Sequence, residues 1–125
     1  MSSESTIQRE IRVRMSQLKC PIFRYVVGQF ITPHGSVVHI GEKGISDLIG
    51  IVPHVVTQED VGRTLGVFCA MECKRTKGGR LSAEQGPFLK RVNELGGLGA
   101  VVRSAEDAES VVREKWDAEV VRKFV

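Results

Sequence analysis

The sequence predicts an α/β protein in which a central mixed β-sheet is flanked by α-helices. Three observations carry that expectation. Ile7, Ile11, Met15 and Leu18 recur at the spacing of one helix face. The run Leu65 to Met71 (Leu-Gly-Val-Phe-Cys-Ala-Met) is apolar on both faces, which reads as a central buried strand. A second helical pattern then leads to a short strand and a third helix, an order that interleaves helices with strands.

Taken in order, residues 4–18 form the first helix, with Arg9, Arg12 and Arg14 on its other faces and Lys19-Cys20-Pro21 as its stop. Two strand-like stretches follow, Phe23–Ile31 and Ser36–Ile40, joined by a turn at Pro33-His34-Gly35. After the Gly41–Gly44 turn a strand starts at Ser46 or Asp47 and runs through the apolar residues Leu48 to Val52. Residues 53–64 are polar and read as a hairpin arm with a flexible tip. Leu65–Lys74 is the central strand and Arg75–Leu81 a loop. A helix begins near Ser82, carries Leu89, Val92 and Leu95 inward, and stops at Gly96-Gly97. Pro87 falls where a helix starting at Ser82 already needs its backbone N–H groups, which kinks or delays that helix. Gly99–Arg103 is the last strand. Ser104 with Asp107 makes a capping pattern for a final helix whose apolar face is Ala108, Val111, Val112 and Trp116.

At 125 residues the chain reads as one domain, 1–125, with apolar content of 42% and charged content of 26%, as in an ordinary globular protein. Its 18 basic and 15 acidic residues leave a net charge of +3, too small to indicate a nucleic-acid partner by itself. The distribution is more informative. Lys74, Arg75, Lys77, Arg80, Lys90 and Arg91 stand against only Glu72 and Glu84 between positions 72 and 91, around a flexible Gly78-Gly79 segment. Such an excess suits contact with phosphates. Cys20, Cys69 and Cys73 form no Cys-X-X-Cys pair. Cys69 and Cys73 share a strand face with Val67 and Met71 and read as buried small apolar residues. His34, His39 and His54 lack zinc-site spacing and read as surface or strand residues. No signal peptide and no membrane-spanning apolar run is apparent, so the expected location is intracellular, in the cytoplasm.

Two motifs carry chemistry. Gly44-Ile45-Ser46-Asp47-Leu48-Ile49-Gly50 and Ala70-Met71-Glu72-Cys73-Lys74 combine into Asp…Glu-X-Lys, two carboxylates and one ammonium. On a strand with period two, Glu72 and Lys74 point to the same face. Cys73 points away and leaves its backbone carbonyl beside them. Asp47, Glu72 and that carbonyl are oxygen donors of the kind a hard cation such as Mg²⁺ takes. Lys74 would lie near an attacking water and a scissile phosphate. A lone acid and base two apart are commonly just a solvated strand edge; here they stand at the end of an apolar run.

With these residues in hand, the chain resembles the virus-type replication–repair nuclease (VRR-NUC) domain of the PD-(D/E)XK superfamily, in its compact stand-alone phage form. The matching features are Glu4-X-X-Ile7-Gln8 in the first helix, Gly-X-Ser-Asp-Leu-Ile-Gly, Glu-X-Lys, Gly79-Arg80-Leu81-Ser82-X-X-Gln85 and Gly96-Gly97. Ser46 departs from the proline that many relatives carry. The resemblance implies a restriction-endonuclease-like core and a Mg²⁺- or Mn²⁺-dependent endonuclease. Asp47, Glu72 and the Cys73 carbonyl would be metal ligands, and Lys74 the residue that orients water and stabilises phosphate charge. Gln85 matches the family's glutamine after the catalytic strand, although Ser82 to Gln85 is also a capping box. Glu4 fits the first-helix acid, with Glu10 as the alternative, and an acid in a first helical turn is favoured by the helix dipole in any case.

The activity implied is structure-specific DNA cleavage, with Lys77, Arg80, Arg91 and Arg75 on flanking phosphates, which position without conveying sequence. The resemblance points to Holliday-junction resolution by a homodimer making paired incisions, in host-cell cytoplasm if the chain is phage-encoded. A flap or restriction-like nuclease on the same fold is one alternative, and a catalytically silent DNA-binding module is another. The C-terminal apolar residues Trp116, Val120, Val121, Phe124 and Val125 read first as core packing and second as an isologous dimer contact.

Overall fold

In the computed structural model, which describes residues 3–117, the chain falls into two units, one ending at Val52 and the next beginning at Pro53. The architecture is mixed α/β, with three α-helices and six short strands among the described residues. The strands pair two by two, in two antiparallel pairs and one parallel pair, where the sequence suggested one mixed sheet. The strands run only three to five residues, and none forms between Ile51 and Phe68.

In the first unit, Ser3 caps α1 (Glu4–Gln17) by accepting the Thr6 N–H at 3.2 Å, one of the donors a helix start leaves unpaired. The helix ends in a Schellman motif. The Cys20 N–H reaches the Met15 carbonyl at 2.9 Å and the Lys19 N–H reaches the Ser16 carbonyl at 3.0 Å, with Lys19 in the left-handed region at φ 60°. Pro21 then prevents continuation. The expected apolar stripe forms but is not covered: no α1 residue is buried. β1 (Ile22–Arg24) pairs antiparallel with β4 (Leu48–Gly50), Phe23 opposite Ile49. At Gly50 any Cβ would collide with the Pro21 carbonyl and the Ile22 side chain, so the close β1–β4 approach requires glycine. The expected strand Phe23–Ile31 is interrupted at Tyr25–Val27 because its two halves have different partners. β2 (Gly28–Ile31) forms a hairpin with β3 (Val37–Ile40) through the expected turn, closed by Gly35 at φ 81°.

The second unit holds most of the core. β5 (Cys69–Cys73) and β6 (Leu98–Val102) are parallel, joined by α2 (Gln85–Glu94), and α3 (Ala105–Arg113) follows. Leu98, Ala100 and Val102 pack with Val111 of α3 and with Met71 and Ala108. Gly99 turns the other way, and a Cβ there would come within 2.5 Å of the Leu89 carbonyl of α2. The two helices therefore cover opposite faces of the pair. Asn93 locks α2 to β6, donating to the Gly99 carbonyl at 3.0 Å and accepting its N–H at 2.8 Å. Burying Leu89 and Val92, which are 3% and 0% exposed, contributes about 1.5–3 kcal/mol per side chain.

α2 starts at Gln85 rather than near Ser82, which places Pro87 in the first turn, where a missing N–H is tolerated. Cys69 and Cys73 do share the Met71 face but are exposed, at the two ends of β5. Partial burial of the sulfur still pushes the Cys69 thiol up. Regular strand structure begins only at Cys69, so Leu65 to Phe68 are not part of a buried strand. Trp116 lies beyond the end of α3, is exposed, and donates its indole N–H to the Gly96 carbonyl at 3.2 Å. Val120, Val121, Phe124 and Val125 lie outside the described residues. Among the described residues no helix is long and apolar enough to cross a membrane.

Candidate active site

Strand parity places the central residues. Glu72 is opposite Val101, on the same face as Gly99, so it points toward the α2 side of the pair while Met71 points toward α3. Lys74, two residues on, shares the Glu72 face and continues the ladder through its N–H, 3.0 Å from the Val102 carbonyl. The Lys74 ammonium lies 3.3 Å from Glu72 Oε1 and 3.4 Å from Gln85 Oε1, with the lysine and glutamate side chains 19% and 31% exposed. Both separations exceed the 2.7–2.9 Å usual for a tight charge-assisted hydrogen bond, so this cation is held loosely by two oxygens.

Gln85 performs two tasks with one oxygen. Its Oε1 accepts the Ser82 N–H at 2.8 Å while its own N–H lies 3.3 Å from Ser82 Oγ, the reciprocal pattern of a capping box. The same Oε1 faces Lys74. This reciprocal pair closes the turn ahead of α2, whose own N-cap is Glu84, and it aims the amide at the ammonium.

The basic residues continue from this point. Arg75, Lys77 and Arg80 are exposed on a loop whose reversal uses Gly78 and Gly79 at φ 73° and 72°. Gly79 lies against the Lys74 stem, where a Cβ would come within 3.5 Å of Lys74 Cβ and Cδ. Arg91, on α2, stands 3.7 Å from Glu94 in an exposed pair, a contact that contributes little.

The remaining sequence-derived candidates belong to the first unit. Asp47 is exposed at the start of β4, positioned by its backbone carbonyl, which accepts the Tyr25 N–H at 2.8 Å. Glu4 and Glu10 are both exposed on α1, Glu4 in the first turn. The structure thus brings Glu72, Lys74 and Gln85 together and sets the Lys77–Arg80 loop beside them. Cys73 closes β5 opposite Val102. Within neither unit do three His, Cys, Asp or Glu side chains of the described residues gather as an ion cage. The donor set at β5, a carboxylate and a main-chain carbonyl, fits a hard cation that keeps most of its water.

Sequence reasoning missed a second charged cluster. Residues 53–64, expected as a hairpin arm, instead wrap around the Asp60 carboxylate, whose side chain is 5% exposed. It accepts His54 Nε2 at 2.8 Å, the Thr57 N–H at 2.9 Å and Arg63 Nη1 at 2.7 Å. The Thr57 N–H first, and then His54, hold the Asp60 carboxyl below the usual carboxylate range against the opposing effect of burial. The available signal was the spacing Thr57-X-X-Asp60-X-X-Arg63, a local capping pattern followed by an arginine.

No family model matches this sequence, and no curated protein or solved structure matches it significantly.

Proposed function

We propose that this chain is a Mg²⁺- or Mn²⁺-dependent, structure-specific DNA endonuclease with a restriction-endonuclease-like core of the VRR-NUC type. On this reading it resolves four-way junctions as a homodimer. The observation that carries the reading is the Lys74 ammonium held loosely between Glu72 and Gln85 at the end of β5. A basic glycine-hinged loop follows directly.

Glu72 and the Cys73 carbonyl would hold the cation, both on β5. When bound, the ion supplies Lewis acidity toward the phosphate and an acidified water. The chain's own residues do the remaining work. Lys74 places a fixed positive charge where the phosphodiester gains negative charge, which strengthens as the transition state is approached. Gln85 restricts the ammonium's position, and its bond from the Ser82 N–H fixes Gln85 in turn. Lys77 and Arg80 grip flanking phosphates, with Arg75 and Arg91 at the margin, and such contacts carry no base readout.

The test is metal-dependent cleavage of a synthetic four-way junction, with matched duplex, 5′-flap and single strand alongside. Symmetric paired nicks in the junction alone are the expected result. Cleavage of flap or duplex instead keeps the nuclease and changes its substrate. Absence of product on every substrate, with DNA still bound, rejects catalysis in favour of a silent DNA-binding module.

A further inference from the structure

Arg103, just past β6, is absent from the motifs described so far, yet its contacts tie it to the candidate site. One of its guanidinium nitrogens, Nη1, donates to the Arg75 carbonyl at 2.6 Å and to the Gly78 carbonyl at 2.7 Å. An Arg terminal nitrogen carries two hydrogens, so each carbonyl receives its own. These two bonds bridge the start and the Gly78 turn of the loop that carries Lys77.

The arginine is itself anchored. Its backbone N–H donates to Asp107 Oδ2 at 2.9 Å, and Asp107 belongs to the first turn of α3, where its N–H is received by Ser104 Oγ at 3.0 Å. The preceding residue, Val102, accepts the Lys74 N–H at 3.0 Å. The end of β6 therefore holds Lys74 by its backbone and the loop by Arg103. Without the clasp, a loop with two consecutive left-handed glycines has unusual conformational freedom. With the clasp, Gly79 is laid against the Lys74 stem.

We propose that Arg103 is a positioning residue: it clasps the Arg75–Gly78 loop so that Lys77 and Arg80 face a nucleic-acid phosphate backbone and Lys74 stays sheltered. The ligand class rests on the nuclease reading above. The clasp itself does not.

Two measurements on the full chain test it, for Arg103→Ala and Arg103→Lys. In limited trypsin digestion read by mass spectrometry, Arg103→Ala is expected to be cut after Lys77 and Arg80 about tenfold faster than wild type, since the released loop samples open states. Arg103→Lys, which keeps a cation with several donors and guards against a folding failure, recovers part of the protection. In four-way-junction binding, Arg103→Ala weakens affinity and flattens the slope of log K against log salt, each lost phosphate contact removing about 0.9 from it. Unchanged loop cleavage in both variants overturns the clasp. Faster loop cleavage with junction binding identical to wild type overturns the positioning role. A wild-type protein that binds no DNA, while Arg103→Ala still exposes the loop, overturns the nuclease reading and leaves the clasp standing.

Discussion

Asp60 and Lys74 are both partly sheltered charges in the second unit, and their surroundings differ in kind. Asp60 is 5% exposed and receives donors from His54, Thr57 and Arg63 at 2.7–2.9 Å. Lys74 is 19% exposed and has two oxygens, both beyond 3.2 Å. A buried charge whose bonding capacity is filled at short range stabilises a local conformation and has little left to offer a ligand. A cation with long, incomplete contacts can exchange them for a phosphate at small cost. The first arrangement organises the chain, and the second is suited to chemistry.

If that contrast holds, the largest effect comes from Lys74→Ala. Cleavage should fall by about 10²–10³-fold, the loss typical when one preorganised charge-stabilising group is removed. Its melting temperature should stay close to wild type. Comparable cleavage by the variant would remove Lys74 from the mechanism.

Asp60→Ala should do the reverse. Thermal melting should fall on the order of 5 °C, as expected when a buried hydrogen-bonded network is broken. Cleavage per folded molecule should be retained. The same cluster predicts a pH dependence with a definite sign. The Asp60 carboxyl is lowered in the folded state, so its contribution is present above the ordinary carboxylate pKa, about 4. It is lost as pH falls from there through the lower folded value. The melting temperatures of wild type and Asp60→Asn should therefore differ at neutral pH and draw together as pH falls below about 4. A constant gap between the two would mean that ionised Asp60 is not what holds residues 54–63.

Gln85→Ala sits between the two classes because one oxygen serves both the cap and Lys74. Stability should drop by about 1 kcal/mol through the lost hydrogen bond from the Ser82 N–H. Cleavage should fall by about tenfold at a temperature where the variant is folded, the rate expected from a less restricted ammonium. A stability loss with unchanged rate would confine Gln85 to capping.

What could be read from the sequence follows from how local each signal is. α1, α3 and the turn at Gly35 were legible because caps, helical spacing and glycine punctuation act within a few residues. The face shared by Glu72 and Lys74 was legible for the same reason, since period two needs no partner. Burial was not. Cys69 and Cys73 read as buried from their run, but they stand at the ends of β5, and what covers a strand's ends is set by distant elements. The division of Phe23–Ile31 depends on which distant segments pair with each half, a choice that alternation alone cannot specify. The Asp60 cluster was written in local spacing, yet its polar composition is equally that of an exposed arm, and only the converging donors distinguish the two.

The most direct test of the contrast is Mn²⁺ binding by titration calorimetry, on wild type, Glu72→Gln and Asp60→Asn, each below its melting temperature. Saturable binding by wild type and Asp60→Asn, lost in Glu72→Gln, is the predicted result. An isotherm for Glu72→Gln that overlays wild type would contradict the assignment of the β5 carboxylate as the metal-binding, functional charge.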